Sequence, residues 1–243
     1  MKLWIVRHGD PDYRIDSLTE KGWREAGYLA ERLAAIDTVA YYVSPLGRAK
    51  DTASLTLQRV GRTATECEWL REFPVRIRRP DVPERPSIAW DWLPQDWLAQ
   101  DCLFSAEHWG EAECYREAGV REEYDRVVSA LDALLERHGY RREGRFYRAL
   151  RPNSDNLVFF CHFGVTCVLL SHLLHISPAV LWHGLCSAPT SVTIVSTEER
   201  REGVAAFRMN AFGDTSHLYI HGEPPAFAGR FCECFHNEEE RRD

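Results

Sequence analysis

The stretch Leu3-Trp4-Ile5-Val6-Arg7-His8-Gly9 constrains the fold more than any other part of the chain. Four apolar residues in a row suit a strand buried on both faces, as in a parallel sheet. The run then ends abruptly in a cation, a histidine and a glycine. In an open α/β sheet, ligands bind beyond the C-terminal ends of such strands. Arginine offers an oxyanion a planar fork of donors. Histidine is a competent nucleophile near neutral pH, and glycine lets backbone approach a ligand closely. Arg7, His8 and Gly9 therefore predict an anion site, for phosphate, with a histidine at its centre.

The same pattern recurs along the chain. Thr38 to Val43 is β-branched and aromatic and predicts a second strand, ending at Ser44-Pro45. A helix from about Gly47 to Leu57 follows, with the stripe Leu46, Ala49, Ala53 and Leu57, and it places Arg48 at its N-terminus, where backbone N–H groups also favour an anion. Thr63 to Trp69 predicts a short third strand and its exit. Leu157 to Cys161 is the clearest buried strand, and it runs into His162-Phe163-Gly164 and a helix over Val165 to His175. Between these units, Thr19 is placed to cap a helix with the stripe Trp23, Ala26, Ala30 and Leu33. Gly22 in its first turn suggests close packing. Gly119 divides a long helical region from Glu111 to His138, and Arg141 to Arg151 predicts a hairpin around Gly144. Ser191–Ser196 and Val204–Met209 predict an antiparallel pair at the sheet edge, and the charged run Glu238–Asp243 is expected to fray.

Periodicity fails from Glu72 to about Ala106, where Pro74, Pro80, Pro83, Pro86 and Pro94 alternate with Trp90, Trp92 and Trp97. Residues 73–125 are expected to form a cap inserted into one domain spanning 1–243, since irregular excursions of this size commonly cover active sites.

Composition bounds the function. The 243 residues are 44% apolar and 28% charged with a net charge of −7, which suits a globular fold and argues against a nucleic-acid partner. No run approaches a membrane span or a signal peptide, so a cytoplasmic location is expected. Eight cysteines are present, but a chain this long needs no disulfides, and Cys232-Glu233-Cys234 lacks a second pair to build a zinc site. No cofactor and no metal is expected, and a homodimer is left open.

Arg7, Arg48, His8 and His162 together suit phosphoryl transfer. Paired guanidiniums hold phosphate oxygens and stabilise the transition-state charge. His8 attacks phosphorus, and the phosphohistidine is then hydrolysed. His162, charged, completes the clamp. Glu72, at the exit of the third strand, is the first choice for the acid that protonates the leaving alcohol, with a pKa raised by burial.

These motifs resemble the histidine phosphatase superfamily, in its phosphoglycerate mutase-like branch. The likeness rests on Arg7-His8-Gly9, on Asp16-Ser17-Leu18-Thr19-Glu20-Lys21-Gly22, on Ser44-Pro45-Leu46-Gly47-Arg48-Ala49 with Asp51-Thr52-Ala53, and on His162-Phe163-Gly164. The resemblance implies a three-layer α/β/α fold with a mostly parallel central sheet. It implies His8 as the phosphorylated nucleophile, Arg7, Arg48 and His162 in the phosphate pocket, Glu72 of Leu70-Arg71-Glu72 as proton donor, and no metal. Three departures stand out. Arg14 occupies the loop where the family often has an asparagine, and would add a phosphate or carboxylate contact. Phe163 replaces the first glycine of a Gly-Gly pair, and would narrow the pocket or stack on a substrate. Glu72 is followed by Phe73-Pro74-Val75, so Glu107, Glu111 and Glu113 stand as alternative donors. His217 is expected to hold a loop. The function expected is a metal-independent phosphomonoesterase acting on a small phosphorylated metabolite. The alternatives are phosphoglycerate mutase-like transfer through the same intermediate, or a non-catalytic phosphate-binding protein on the same fold.

Overall fold

A computed structural model describes residues 1–228 and 230–237. The terminal run Glu238–Asp243 lies outside the described residues. One sheet of eight strands organises the chain: β1 (Lys2–Arg7), β2 (Thr38–Val43), β3 (Thr65–Glu66), β4 (Tyr140–Glu143), β5 (Phe146–Ala149), β6 (Asn156–Cys161), β7 (Val192–Arg201) and β8 (Val204–Asp214). Their spatial order is β3-β2-β6-β1-β7-β8-β5-β4. Pairing is parallel from β3 through β2 and β6 to β1. Beyond β1 every pairing is antiparallel. The expected parallel character thus belongs to the half of the sheet that ends in the histidines, and a meander completes the other half.

Alternation along the central strands builds two cores. Leu3 and Ile5 of β1 with Leu157, Phe159 and Cys161 of β6 face one way, while Val6 with Val158 and Phe160 faces the other. Both faces are covered, which is why these strands read as continuous apolar runs. Helices α1 (Glu20–Ala34) and α2 (Gly47–Val60) cover one face through Leu29, Leu33, Ala49 and Ala53. Helices α3 (Val120–Arg137) and α4 (Phe163–Leu174) cover the other. Every residue from Gly164 to Ser171 in α4 is buried, as expected for a helix that is apolar all round. Full burial of a side chain such as Ile5 or Phe159 is worth roughly 1.5–3 kcal/mol.

Local signals behave as the residues dictate. The Thr19 hydroxyl accepts from Gly22 N–H and caps α1. Gly22 is required by close approach: a Cβ there would lie 2.3 Å from the Asp10 carbonyl oxygen. Gly119, in the left-handed region, ends the helix Glu113–Ala118 and precedes α3. Two expectations are corrected. Trp23 is 38% exposed and lies off the core, and the buried face of α1 runs through Glu25, Ala26, Leu29, Ala30 and Leu33. The strand from Val204 is not at the edge, because the β4–β5 hairpin around Gly144 pairs against it, Ala205 with Tyr147.

Residues 73–125 hold a two-stranded ribbon (Arg76–Ile77 with Ser87–Ile88), turns at Pro94–Trp97, Asp101–Phe104 and Trp109–Glu111, and the helix Glu113–Ala118. Trp109 and Tyr115 are fully buried and pack edge-on against Trp182, with ring centroids 6.4 and 6.1 Å away. An aromatic cluster therefore anchors this segment to the core. No helix among the described residues is long and apolar enough to cross a membrane.

Candidate active site

Four parallel strands deliver the site. His8 follows β1, His162 follows β6, Ser44 follows β2, and Glu72 lies six residues past β3. The main chain fixes the junctions: His8 N–H donates to Cys161 O at 3.0 Å and Ser44 N–H to Phe160 O at 2.9 Å. The two imidazoles come together, with ring centroids 5.1 Å apart. Both are buried.

Hydrogen bonding sets the His8 tautomer and positions the His162 ring. His8 Nδ1 lies 2.7 Å from Gly9 O. A carbonyl can only accept, so Nδ1 carries the proton and Nε2 carries the lone pair. His162 Nε2 lies 2.7 Å from Ser44 Oγ, which also accepts from Leu46 N–H at 3.3 Å. The Ser44 hydroxyl can donate to this nitrogen or accept from it, so the contact positions the ring without fixing its tautomer. His162 Nδ1 is buried without a partner.

Burial, and next the Arg7 guanidinium, hold His8 well below its ordinary pKa. Burial, His8 and Arg48 do the same to His162. Both rings are neutral at neutral pH in this state. That suits a nucleophile at His8, and it leaves His162 to gain its charge only when an anion adds its field.

The arginines are held from behind. Arg7 Nη1 donates to Ser187 O, and to Ala228 O at 3.2 Å. Arg48 Nη1 donates to Asp16 Oδ1 at 2.5 Å. Each keeps a buried Nε–H with no partner. The Gly9 loop is tied to α2 through Thr52, whose hydroxyl accepts from Gly9 N–H at 2.9 Å and donates to Arg48 O at 2.7 Å.

Glu72 reaches the N-terminus of α4. Its Oε1 accepts from Phe73 N–H at 2.9 Å and Val165 N–H at 3.1 Å. Burial nevertheless pushes its pKa up, outweighing these bonds and the nearby Arg7. A carboxyl whose pKa is raised in this way is better suited to hold and donate a proton than an ordinary surface carboxylate.

The other expected residues lie elsewhere. Arg14 is not brought to the group: its guanidinium is highly exposed and bonds Asp12 at 2.8 and 3.1 Å, because the turn folds the two side chains onto each other. Phe163 opens α4 half-buried, edge-on to Trp90 with centroids 6.2 Å apart. Glu107 and Glu111 are engaged at the surface by Arg145 and His108. His217 is buried and its Nε2 lies 3.1 Å from Thr190 Oγ1. Thr190 N–H in turn donates to His8 O at 3.1 Å. Among the described residues, no group of three or more His, Cys, Asp or Glu is placed to hold a metal ion.

Sequence reasoning passed over Ser44, Asp16 and Thr52 as site residues, although each stands inside a motif that carries the family resemblance. It had no signal for the carbonyls of Ser187 and Ala228, since any residue supplies a carbonyl.

The chain is 28% identical over 194 residues to the adenosylcobalamin/alpha-ribazole phosphatase of Salmonella typhi, covering 75% of this chain and 84% of that one. A phosphoserine phosphatase mutant of Entamoeba histolytica, solved with phosphoserine, superposes with a TM-score of 0.58 at 19% identity, over 89% of this chain and 98% of that one. The mycobacterial glucosyl-3-phosphoglycerate phosphatase superposes with a TM-score of 0.56 at 23% identity, over 87% and 98%. A sequence model of the histidine phosphatase superfamily (branch 1) matches residues 3–210, a span that includes His8, Arg48, Glu72 and His162. The chain belongs to the histidine phosphatase superfamily, branch 1.

Proposed function

We propose that the chain hydrolyses a small phosphorylated metabolite through a phosphohistidine on His8, without a metal. One observation carries this reading. A neutral histidine with Nε2 free of its proton has Arg7 and Arg48 as charged neighbours, and each of them keeps a buried Nε–H without a partner. A buried donor left unpaired costs about 1–3 kcal/mol. A phosphate monoester brings the acceptor oxygens and the negative charge that would relieve both.

The chemistry follows from the groups present. His8 Nε2 attacks phosphorus in line. The bond from phosphorus to the ester oxygen breaks, and that oxygen takes its proton from Glu72. The arginines and His162 hold the three equatorial oxygens as their charge redistributes. Water then attacks the phosphohistidine, gives its proton to the Glu72 carboxylate, and the P–N bond breaks. Inorganic phosphate leaves, and His8 is neutral again. No step calls for a metal, because the guanidiniums supply the positive charge. The segment 73–125, which starts directly after Glu72, serves as the cap on the leaving-group side. The named relatives act on compounds of this size class, which supports a small metabolite as substrate.

The test is phosphate release from a panel of phosphomonoesters with EDTA present, comparing wild type with His8→Ala. Turnover by the wild type, with a loss of at least about a thousandfold in the variant, is the expected result. Rapid alkaline quenching during turnover is expected to trap an acid-labile phosphoenzyme in the wild type alone. A wild type that releases phosphate from no ester, or a fully active His8→Ala enzyme, overturns the reading.

A further inference from the structure

Trp90 is the one residue of the 73–125 segment whose neighbours on both sides are pinned while its own ring points at the candidate proton donor. On one side, Ala89 O accepts from the buried Tyr115 hydroxyl at 2.9 Å. On the other, Asp91 Oδ1 lies 3.2 Å from Arg79 Nη1, and Asp91 Oδ2 accepts from Ser87 Oγ. Arg79 is itself buried and is gripped by Asp81 at 2.5 and 3.0 Å. Buried charge-assisted bonds of this kind fix a turn.

The turn presents the Trp90 indole to Gly164 at the start of α4. A Cβ built on Gly164 would lie 2.3 Å from Trp90 Cη2 and 2.5 Å from Cζ3. The same point is 2.7 Å from Glu72 Oε1. The ring edge and the carboxyl oxygen therefore crowd one spot on the helix, and only a glycine leaves room for both. Trp182 backs the arrangement: its Nε1–H donates to Gly164 O at 2.9 Å, and its ring lies 5.9 Å from that of Trp90. Trp90, Phe163 and Glu72 are each half-buried.

We propose that Trp90 is a positioning residue for the proton donor: it walls the leaving-group side of Glu72, keeping that carboxyl fixed and dry against Gly164. The proposal rests on the reading of Glu72 as the donor. Its physical content is desolvation. An indole in place of water disfavours the carboxylate and keeps the acid protonated. The alcohol that leaves must then pass beside Trp90 and Phe163, which favours an alcohol carried on an apolar or planar group.

Glu72→Gln, Trp90→Ala and Trp90→Phe are compared with the wild type on a simple alkyl phosphate and on p-nitrophenyl phosphate, across pH. The nitrophenolate needs little protonation to leave, and the alkoxide needs much. Trp90→Ala is expected to lose about tenfold more kcat/KM on the alkyl ester than on the nitrophenyl ester. The alkaline limb of its kcat/KM profile on the alkyl ester is expected to move to lower pH, and Trp90→Phe to restore both. Equal losses on the two esters with an unmoved profile overturn the proposal when Glu72→Gln still discriminates between them. If Glu72→Gln itself fails to discriminate, the donor assignment falls and the proposal falls with it. Thermal unfolding checks each variant. Should Trp90→Ala not fold, Trp90→Leu, which fills space without the reach of the ring, is measured and judged in the same way.

Discussion

Asp16 holds Arg48 in place: its Oδ1 lies 2.5 Å from Arg48 Nη1, while its Oδ2 accepts from Gly47 N–H at 2.7 Å. One carboxylate thus orients both the guanidinium and the first turn of α2. Asp16 adopts φ +49°, an uncommon left-handed conformation for a residue other than glycine, and the two bonds are what keep it there. The Arg48 guanidinium also lies over the Tyr13 ring, 5.3 Å from its centroid. Asp16→Ala is expected to lower kcat/KM about ten- to a hundredfold through loss of Arg48 orientation. Asp16→Asn, which retains an acceptor, is expected to lose less. Steady-state kinetics on one phosphomonoester decides it, and equal activity in all three proteins would show that Arg48 needs no holder.

Gly164→Ala tests the contact at the start of α4 from the other side. Its methyl would have to displace the Trp90 ring or the Glu72 carboxyl, and both are held by neighbours. Overpacking of this kind costs about 1–3 kcal/mol. The expected result is a lowered Tm with a still larger relative loss of kcat/KM, since Glu72 moves with the helix terminus. Wild-type kinetics in a destabilised Gly164→Ala protein would show that the donor does not depend on this contact.

The extent to which the site was legible follows from how each residue acts. His8, His162, Arg7 and Arg48 could be found because each follows an apolar strand or opens a helix, and hydrophobic periodicity marks those positions. Glu72 could be found because it lies at the exit of a third strand. Arg14 was misplaced because nothing in a polar loop says which neighbour a guanidinium will choose, and Asp12 is two residues away. Glu25 was passed over because a carboxylate in a helical pattern reads as a solvent-facing residue. It is fully buried, and its oxygens accept from Asp10 N–H and Ala226 N–H, each at 3.2 Å, tying the loop after β1 to the C-terminal segment. Burial raises its pKa to about 7. Trp90 could not be singled out among the tryptophans of residues 73–125, since only the folded turn distinguishes it.

The pH profile of activity follows from opposite shifts. His8 must be neutral to attack, and its pKa is lowered well below 6.5, so the nucleophile stays available as pH falls below that value. Glu72 must be protonated to donate, and its pKa is raised above 4.5, so the donor fails only as pH climbs past its raised value. kcat/KM is therefore expected to fall on the alkaline side through Glu72 and on the acid side through His8. Dividing the wild-type profile by that of Glu72→Gln cancels the ester's own ionisation near about pH 6. The ratio is expected to decline with rising pH, and a flat ratio would remove Glu72 from the donor role.

His217 links the stability of the chain to pH through the main chain of His8. Arg32 Nη1 can only donate, so His217 Nδ1, 3.5 Å away, is the acceptor, and Nε2–H donates to Thr190 Oγ1 at 3.1 Å. The Thr190 hydroxyl passes its proton to Pro189 O at 2.7 Å. Thr190 sits at φ +57°, which is strained for a β-branched side chain, and its N–H supports the His8 carbonyl. A protonated His217 would turn a donor toward Arg32. Burial and Arg32 accordingly lower its pKa from 6.5 to about 4. An unfolded histidine binds its proton first, so this group contributes stability above about pH 6.5, and that contribution is lost as pH falls toward 4. Its share is up to about 3 kcal/mol. His217→Gln keeps one donor and one acceptor but does not titrate. Chemical denaturation at neutral and mildly acid pH is expected to show the wild type losing more stability than His217→Gln over that interval. Parallel losses in the two proteins would place the acid sensitivity in the other histidines whose pKa values are lowered, among them His8, His162 and His183.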